Sequence, residues 1–327
     1  MKGEVYANSM WTTLQAAYLY YKQGKTQKEI CKILELSPAT VSRLIQRAKE
    51  KGIVQFSIPG SYLDCVSYAE RIQQAYAVSQ AIVVNTTVLP SGGTDAEENK
   101  RAVAKEGARF VQRTIQPLDT LGVAWGGTMY YLIHYLNPCQ KTDNSFITLH
   151  GSLDCCDYEL DVDTLARRMA MALGGSHFEF TSRGLFDSPD GLRRKCREPN
   201  IQKGFELLSR TTISVSGIGT FSQDDLTPLA RLEYLSAPEL AELRRKGVCL
   251  DLMLRFFDEN GQEISSALKE RTLSISTETY KRIPAKIIVA AGAAKAVAMR
   301  AVLRGGLADV IVVDDLLART LLDLPGR

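Results

Sequence analysis

TQKEICKILELSPATVSRLIQRAKEKG, residues 26–52, reads as a helix, a tight turn and a second, basic helix. Thr26 followed three residues later by Glu29 makes a capping box, in which the Thr hydroxyl accepts from the Glu29 amide and the Glu29 carboxylate reaches back. Ile30, Ile33 and Leu34 then fall on one face at helical spacing. Glu35-Leu36 makes the turn, with Leu36 apolar enough to plug the angle between the helices. Ser37 caps the second helix, and Pro38 suits its first position, where no amide hydrogen is needed. Val41, Leu44, Ile45 and Ala48 form the buried stripe, which leaves Ala39, Thr40, Ser42, Arg43, Gln46 and Arg47 outside. Short polar groups with arginines behind them suit a helix in the major groove, where small residues approach base edges and arginines reach guanines or phosphates. Thr26, Gln27 and Ser37, at the two helix starts, complete the candidate DNA contacts. A short β run, Ile53-Val54-Gln55-Phe56-Ser57-Ile58, follows.

An ordinary helical hairpin with a solvated basic face would share part of this pattern. The cap, the turn length, the N1 proline and the exposed polar set agree on a DNA reader instead. Charge points the same way. Nine Lys/Arg and four Asp/Glu precede Pro59, a net of +5; with 40 and 37 in the whole chain, the remainder holds 31 basic and 33 acidic residues, a net of −2. The basic excess is confined to the segment that would face phosphate.

At 327 residues and 45% hydrophobic content, the chain has a two-domain length and enough apolar mass for a sizeable core. No apolar run approaches a membrane span, and Met1-Lys2-Gly3-Glu4 begins no signal peptide, so a cytoplasmic protein is expected. Seven cysteines without metal-ligand spacing suggest free thiols, Cys155-Cys156 among them as loop or core residues. His134, His150 and His177 are scattered, and neither a metal nor a cofactor is expected.

Residues 10–23 give a first helix whose Leu14, Ala17, Tyr18 and Tyr21 can pack against the reader, and Gly24 ends it. Pro59-Gly60 breaks the chain before a connecting helix from Tyr62 to Tyr76, which either forms a dimer contact or packs on the second domain. From residue 81 short β-branched runs alternate with helices. The runs are Ala81–Val84, Leu121–Trp125, Phe146–Leu149, His177–Phe180, Ile213–Val215, Ile287–Ala291 and Val310–Val313; the main helices are 96–114, 128–136, 163–173, 200–209 and 295–303. The expected fold class is α/β: a small N-terminal all-α helix-turn-helix domain (1–58), a linker (59–80) and a Rossmann-like, mostly parallel sheet covered on both faces (81–327).

In such a sheet ligands sit at the carboxyl ends of strands, where helix N-termini present free amides. Leu121-Gly122-Val123-Ala124-Trp125-Gly126-Gly127-Thr128 runs from a strand through glycines into a helix. His150-Gly151-Ser152 and Ser216-Gly217-Ile218-Gly219-Thr220 follow two further strands, and Ala291-Gly292-Ala293-Ala294-Lys295 places a lysine in the first turn of a helix. A lysine there opposes the helix dipole, which calls for a compensating anion or a solvated position. In Arg255-Phe256-Phe257-Asp258-Glu259-Asn260-Gly261, Asp258 can accept from sugar hydroxyls and Arg255 can pair a phosphate; the alternative is a β-turn with surface charges.

Taken together, residues 26–58, LGVAWGGT (121–128), SGIGT (216–220), YLSAPELAELRRKG (234–247), RFFDENG (255–261), AGAAK (291–295) and LRGGLADVIVVDD (303–315) resemble the SorC family of bacterial transcription regulators. The resemblance spans nearly the whole chain. It implies an N-terminal helix-turn-helix joined to a sugar-phosphate-isomerase-like domain that serves as a receptor, and dimers or tetramers on palindromic operators. It implies a pocket lined by Gly126, Thr128, Gly151, Ser152, Gly217, Gly219, Asp258 and Lys295. Ala291, Ala293, Leu250 and Leu317 depart from that family's pattern and imply a less polar pocket mouth.

The leading expectation is therefore a DNA-binding regulator controlled by a carbohydrate or sugar-phosphate effector, with Gly126, Thr128, Gly151, Ser152, Gly217, Gly219, Arg255, Asp258 and Lys295 as effector contacts. Its expected partners are double-stranded operator DNA, the effector and further copies of itself. The rival is an isomerase or aldolase-like enzyme with a DNA-binding extension, in which Lys295 forms an imine with an open-chain sugar. A constitutive architectural DNA binder fits poorly with so large an α/β domain.

Overall fold

A computed structural model describes residues 9–153, 159–221, 229 and 234–326. Cys155 and Cys156 lie outside the described residues. The chain divides into two compact units, Met1–Pro59 and Gly60–Arg327.

The first unit is helical. Helix α1 (Met10–Ala17) continues into a π-helical turn, Tyr18–Lys22; α2 (Gln27–Leu34) and α3 (Pro38–Glu50) follow. Both halves of the Thr26–Glu29 capping box are present, and Ser37 accepts from the Thr40 amide with Pro38 at the first position. Glu35 closes α2 in the left-handed region (φ 52°), which turns the chain sharply into α3. Ala16, Ile30, Val41, Leu44 and Ile45 form the core, with Leu34 and Leu36 packed against it.

Three expectations are corrected here. Ile33 faces solvent, because the short α2 buries only the arc around Ile30. Leu14 and Tyr18 are exposed, whereas Thr12, Thr13, Ala16 and Ala17 form the buried side of α1. No strand forms over 53–58: the amides of Ile53 and Val54 turn back to the Ala48 carbonyl, and the unit's described residues offer no partner strand. A lone extended run has no ladder to join.

The second unit opens with α4 (Gly60–Ala75), whose Ile72 enters the large core, so the connecting helix packs on this unit. Its parallel seven-stranded sheet comprises β1 (Gln80–Val84), β2 (Thr120–Val123), β3 (Asn144–Thr148), β4 (Gly175–Phe178), β5 (Ile213–Ser216), β9 (Ala285–Ala290) and β10 (Val310–Asp314). The spatial order is β1-β10-β9-β5-β2-β3-β4. Helices α5 (Ala96–Thr114), α6 (Gly127–His134) and α7 (Val162–Leu173) intervene between the early strands; α8 (Pro189–Lys195), α9 (Pro199–Ser209), α10 (Ala237–Arg245), α11 (Thr277–Lys281), α12 (Ala296–Arg304) and α13 (Asp315–Asp323) come later.

The inner strands β9 and β10 are almost wholly apolar because both faces are covered, whereas the edge strand β4 (Gly-Ser-His-Phe) is mostly exposed. Ile287, Val289, Val310 and Val312 share one core with α5, α6 and α7, while Ile288, Ala290, Ile311 and Val313 share the other with α4, α9, α12 and α13. Full burial of each such valine or isoleucine contributes about 1.5–3 kcal/mol, so the two layers fix the register of the sheet.

A small antiparallel sheet, not foreseen from the sequence, joins β6 (Gly219–Thr220), β7 (Leu250–Leu252) and β8 (Arg255–Phe257). Its β7–β8 turn is Met253-Leu254, both at positive φ (56° and 62°) and both buried. Two bulky residues in the left-handed region store strain that the surrounding core must overcome.

Candidate functional site

The order of the parallel sheet reverses at β2 and β5: from β2 the chain proceeds outward to β3, and from β5 the opposite way to β9. Loops leaving strands on the two sides of such a reversal diverge and open a crevice. Here that crevice is a cavity of about 570 Å³ beyond the carboxyl ends of β2, β5 and β9.

From β2 come Trp125, Gly126 and Thr128. Gly126 has φ 111°, a conformation that suits glycine, and its amide donates to the Leu160 carbonyl at 3.2 Å. That turn starts α6, whose first residues, Gly127 and Thr128, line the cavity. From β5 come Gly217 and Gly219, the latter paired with Asp251 of β7. A Cβ on Gly219 would stand 2.9 Å from Asp251 Oδ2, so glycine leaves the carboxylate its place.

From β9 comes Gly292 (φ 101°), whose amide donates to Asp314 at 2.8 Å, then a 3₁₀ turn, Ala293–Lys295. Burial and the nearby Lys100 lower the Lys295 amine to about 8, partly offset by Asp314. Lys100, from α5, lines the cavity as well and is paired with Glu97 at 2.6 Å. Asp251 is the acidic residue among the described lining side chains. It is 4% exposed, its Oδ1 has no hydrogen-bond partner, and burial raises its carboxyl to about 7. The arrangement combines two ammonium groups and helix-start amides for an anion with a buried carboxyl for hydroxyl groups.

Of the residues expected from the sequence, Gly126, Thr128, Gly217, Gly219 and Lys295 are brought together in this cavity. Four are not, which corrects their assignment. Gly151 packs against the backbone of Ser182 and Arg183, where a Cβ would collide at 2.6–2.8 Å. The Ser152 hydroxyl donates to Asp161 at 2.6 Å. Neither residue lines the cavity. Arg255 is buried elsewhere, donating to the Ser274 and Ile275 carbonyls and pairing Glu263. Asp258 accepts from the amides of Asn260 and Gln262 at 2.9 Å, as the β-turn alternative required.

Trp125, Lys100, Met253 and Asp251 were not singled out from the sequence. Asp251 did leave a trace there: one acid inside the apolar triplet Leu250-Asp251-Leu252.

In the helical unit, α3 presents Ala39, Ser42, Arg43 and Gln46 to solvent, with Arg47 half-buried. Gln27 is exposed at the start of α2. Thr26 and Ser37 serve as caps. Thr40 is corrected: it is 4% exposed and its hydroxyl meets that of Ser37 at 2.9 Å, so it belongs to the turn rather than to the outer face.

Residues 61–323 match the Sugar-bind family of sugar-binding domains, and residues 13–60 match the MarR family. The chain is 29% identical over 316 residues to the deoxyribonucleoside regulator of Bacillus subtilis (strain 168), covering 95% of this chain and 97% of that protein. It is 26% identical over 318 residues to the erythritol catabolism regulatory protein EryD of Brucella abortus (strain 2308), covering 96% of each. The full-length sorbitol operon regulator SorC of Klebsiella pneumoniae has the same fold, with a TM-score of 0.74 and 25% identity over 96% of this chain and 99% of that one. No helix among the described residues is long and apolar enough to cross a membrane. A DNA-reading helix-turn-helix joined to a sugar-binding α/β domain along the whole length of these relatives identifies the chain as a member of the SorC family of sugar-responsive transcription regulators.

Proposed function

We propose that a phosphorylated sugar occupies the cavity at the β2/β5 reversal and controls operator binding by the α3 face in the cytoplasm. The carrying observation is that Lys100, Lys295 and the buried Asp251 line one cavity. Two ammonium groups and the α6 amides suit a phosphate, while Asp251 suits the sugar hydroxyls. Gly126, Thr128, Gly217 and Gly219 then serve as the close-approach walls. The names of the relatives, a deoxyribonucleoside regulator and an erythritol catabolism regulator, support a small carbohydrate-derived effector. Ligand that binds the folded state at a hundred times its Kd stabilises it by about 2.7 kcal/mol, enough to read as a melting shift. Sugar phosphates should therefore raise the melting temperature where the parent sugars and inorganic phosphate do not, and Lys295→Ala should remove the shift. Equal stabilisation by free sugars, independent of Lys295, would overturn the assignment.

One observation favours a second reading. With the Lys295 amine at about 8, a fraction is neutral near physiological pH, and Asp251 supplies an acid in the same cavity. These are the groups an imine-forming enzyme needs. Turnover of a sugar phosphate, with borohydride trapping of the substrate on Lys295, would establish it; a receptor gives neither.

A further inference from the structure

The cavity at the β2/β5 reversal has two unlike ends. At one, Lys100 Nζ stands 3.9 Å from where a Cβ on Gly127 would lie, and its charge depresses the Lys295 amine. The two ammonium groups and the start of α6 thus share one corner. The other end is built on the small antiparallel sheet. Gly219 pairs with Asp251 across β6 and β7, Ile218 and Met253 lie beside that pair in sequence, and Trp125 packs on the cluster that holds Leu254 and Phe256. Neither ammonium group shifts the Asp251 carboxyl, which burial raises and the Leu254 backbone partly restores, so it stands apart from the cationic corner.

The far end is poorly suited to a sugar alone. Asp251 and Thr220 can serve the nearest hydroxyls, but Ile218 and Met253 offer no hydrogen bond and Trp125 at most one N–H. Hydroxyls pressed against those side chains would be buried unpaired, which is costly. Size points the same way. The cavity of about 570 Å³ has the room of about nineteen water molecules at ~30 Å³ each, whereas a pentose or hexose monophosphate takes the room of roughly ten. A phosphate held at the cationic corner therefore leaves the apolar end unfilled.

We propose that the effector is a phosphoglycoside: its phosphate sits between Lys100 and Lys295, and the sugar carbon remote from the phosphate carries a flat apolar group seated among Trp125, Ile218 and Met253. Gly217 and Gly219 have no side chains, so a flat ring can lie close to their backbone. Burying such a ring removes on the order of 100 Å² of apolar surface from water, enough for a gain of about tenfold after the costs of ordering. The inference rests on a phosphate ester occupying the Lys100–Lys295 corner.

The test is calorimetric titration of the full-length protein with matched pairs of phosphate esters. Each pair sets a sugar phosphate against the same phosphate bearing a ring: glucose 6-phosphate against both anomers of phenyl glucoside 6-phosphate, and ribose 5-phosphate against a nucleoside 5′-monophosphate. In a pair that binds, the ring-bearing member should bind about tenfold tighter or more, and a methyl glycoside phosphate should gain far less. Trp125→Leu should remove most of that gain while holding the bare sugar phosphate within about twofold, and Trp125→Phe should recover it. Bare members that equal or beat their ring-bearing partners in every pair that binds overturn the proposal, with no variant required. A Trp125→Leu chain that keeps the full gain, or that weakens both members alike, overturns it too. Failure of every phosphate ester, bare or substituted, would instead defeat the phosphate reading on which it rests.

Discussion

The backbone amide of Trp125 donates to Nε2 of His150 at 3.3 Å, so a fully buried ring outside the cavity holds the turn that lines it. With Nε2 accepting, the proton sits on Nδ1 and is donated to the Gly151 carbonyl at 2.8 Å. Burial lowers the imidazole to about 4, which keeps it neutral through the physiological range. His150→Leu should weaken effector binding about tenfold, the value of one lost buried hydrogen bond of ~1–2 kcal/mol, and His150→Gln, which can accept from the same amide, should restore most of it. Trp11→Phe leaves Trp125 as the sole tryptophan, so its fluorescence reports both the turn and the titration. Equal affinities for the Leu and Gln variants would show that the bond does not position the site.

His150 and Asp251 pull the pH dependence of stability in opposite directions. The imidazole is depressed on folding, so its neutral form contributes stability above 6.5 that is lost as pH falls towards about 4. The Asp251 carboxyl is raised from 3.8 to about 7, so folding holds a proton there, and stability is lost as pH rises through that window. Asp251→Asn removes only the second effect. Denaturant melts should show the variant gaining on the wild type between pH 5 and pH 8, on the order of a few kcal/mol. A constant difference between the two pH values would mean that Asp251 is ionised in the folded protein.

Why Asp251 escaped a sequence reading is a matter of local chemistry. The inner parallel strands were legible because burial on both faces forces continuous apolar runs, as in Ile287–Ala290 and Val310–Val313. The β7–β8 hairpin was not, because its turn is Met253-Leu254 instead of the Asn or Gly that positive φ ordinarily demands. With that strand unseen, the visible acid nearby was Asp258, whose carboxylate is consumed by its own turn. Likewise the glycines after β2 and β5 could be read as cavity walls, whereas Gly151 answers to a backbone crossing that no local pattern encodes. In α1 the expectation that large apolar residues face inward failed, since Ala16 and Thr13 permit a closer helix contact than Leu14 would.

Lys295 gives the effector site a pH signature. Its amine titrates at about 8, lowered by burial and by Lys100. An anionic effector needs the ammonium form, so affinity should fall as pH rises through about 8, and binding at that pH should take up protons. Lys295→Arg keeps its charge well past this range and should flatten the profile between pH 7 and 9, roughly, even if the longer head lowers affinity overall. Calorimetry in two buffers of different ionisation enthalpy measures the proton uptake directly. A profile that stays steep in the Arg variant would assign the titration to another group.

Arg43 and Thr40 lie three residues apart on α3 and should fail in different ways. Arg43 is exposed, its Nε donating to the Ala39 carbonyl at 3.3 Å, so the guanidinium is steadied on the outer face. Arg43→Ala should weaken DNA binding by about 1–3 kcal/mol if it reads a base, and reduce the salt dependence if it meets a phosphate. Melting temperature and effector stabilisation should not change. Thr40 is buried with its hydroxyl against Ser37 and its amide donating to the same cap. Thr40→Val should therefore destabilise the helical unit by about 1 kcal/mol and weaken DNA binding only in proportion to the unfolded fraction. Salt-dependent DNA titrations beside thermal melts separate the two. An Arg43 variant that melts early but binds normally when folded would remove α3's outer face from the DNA contact.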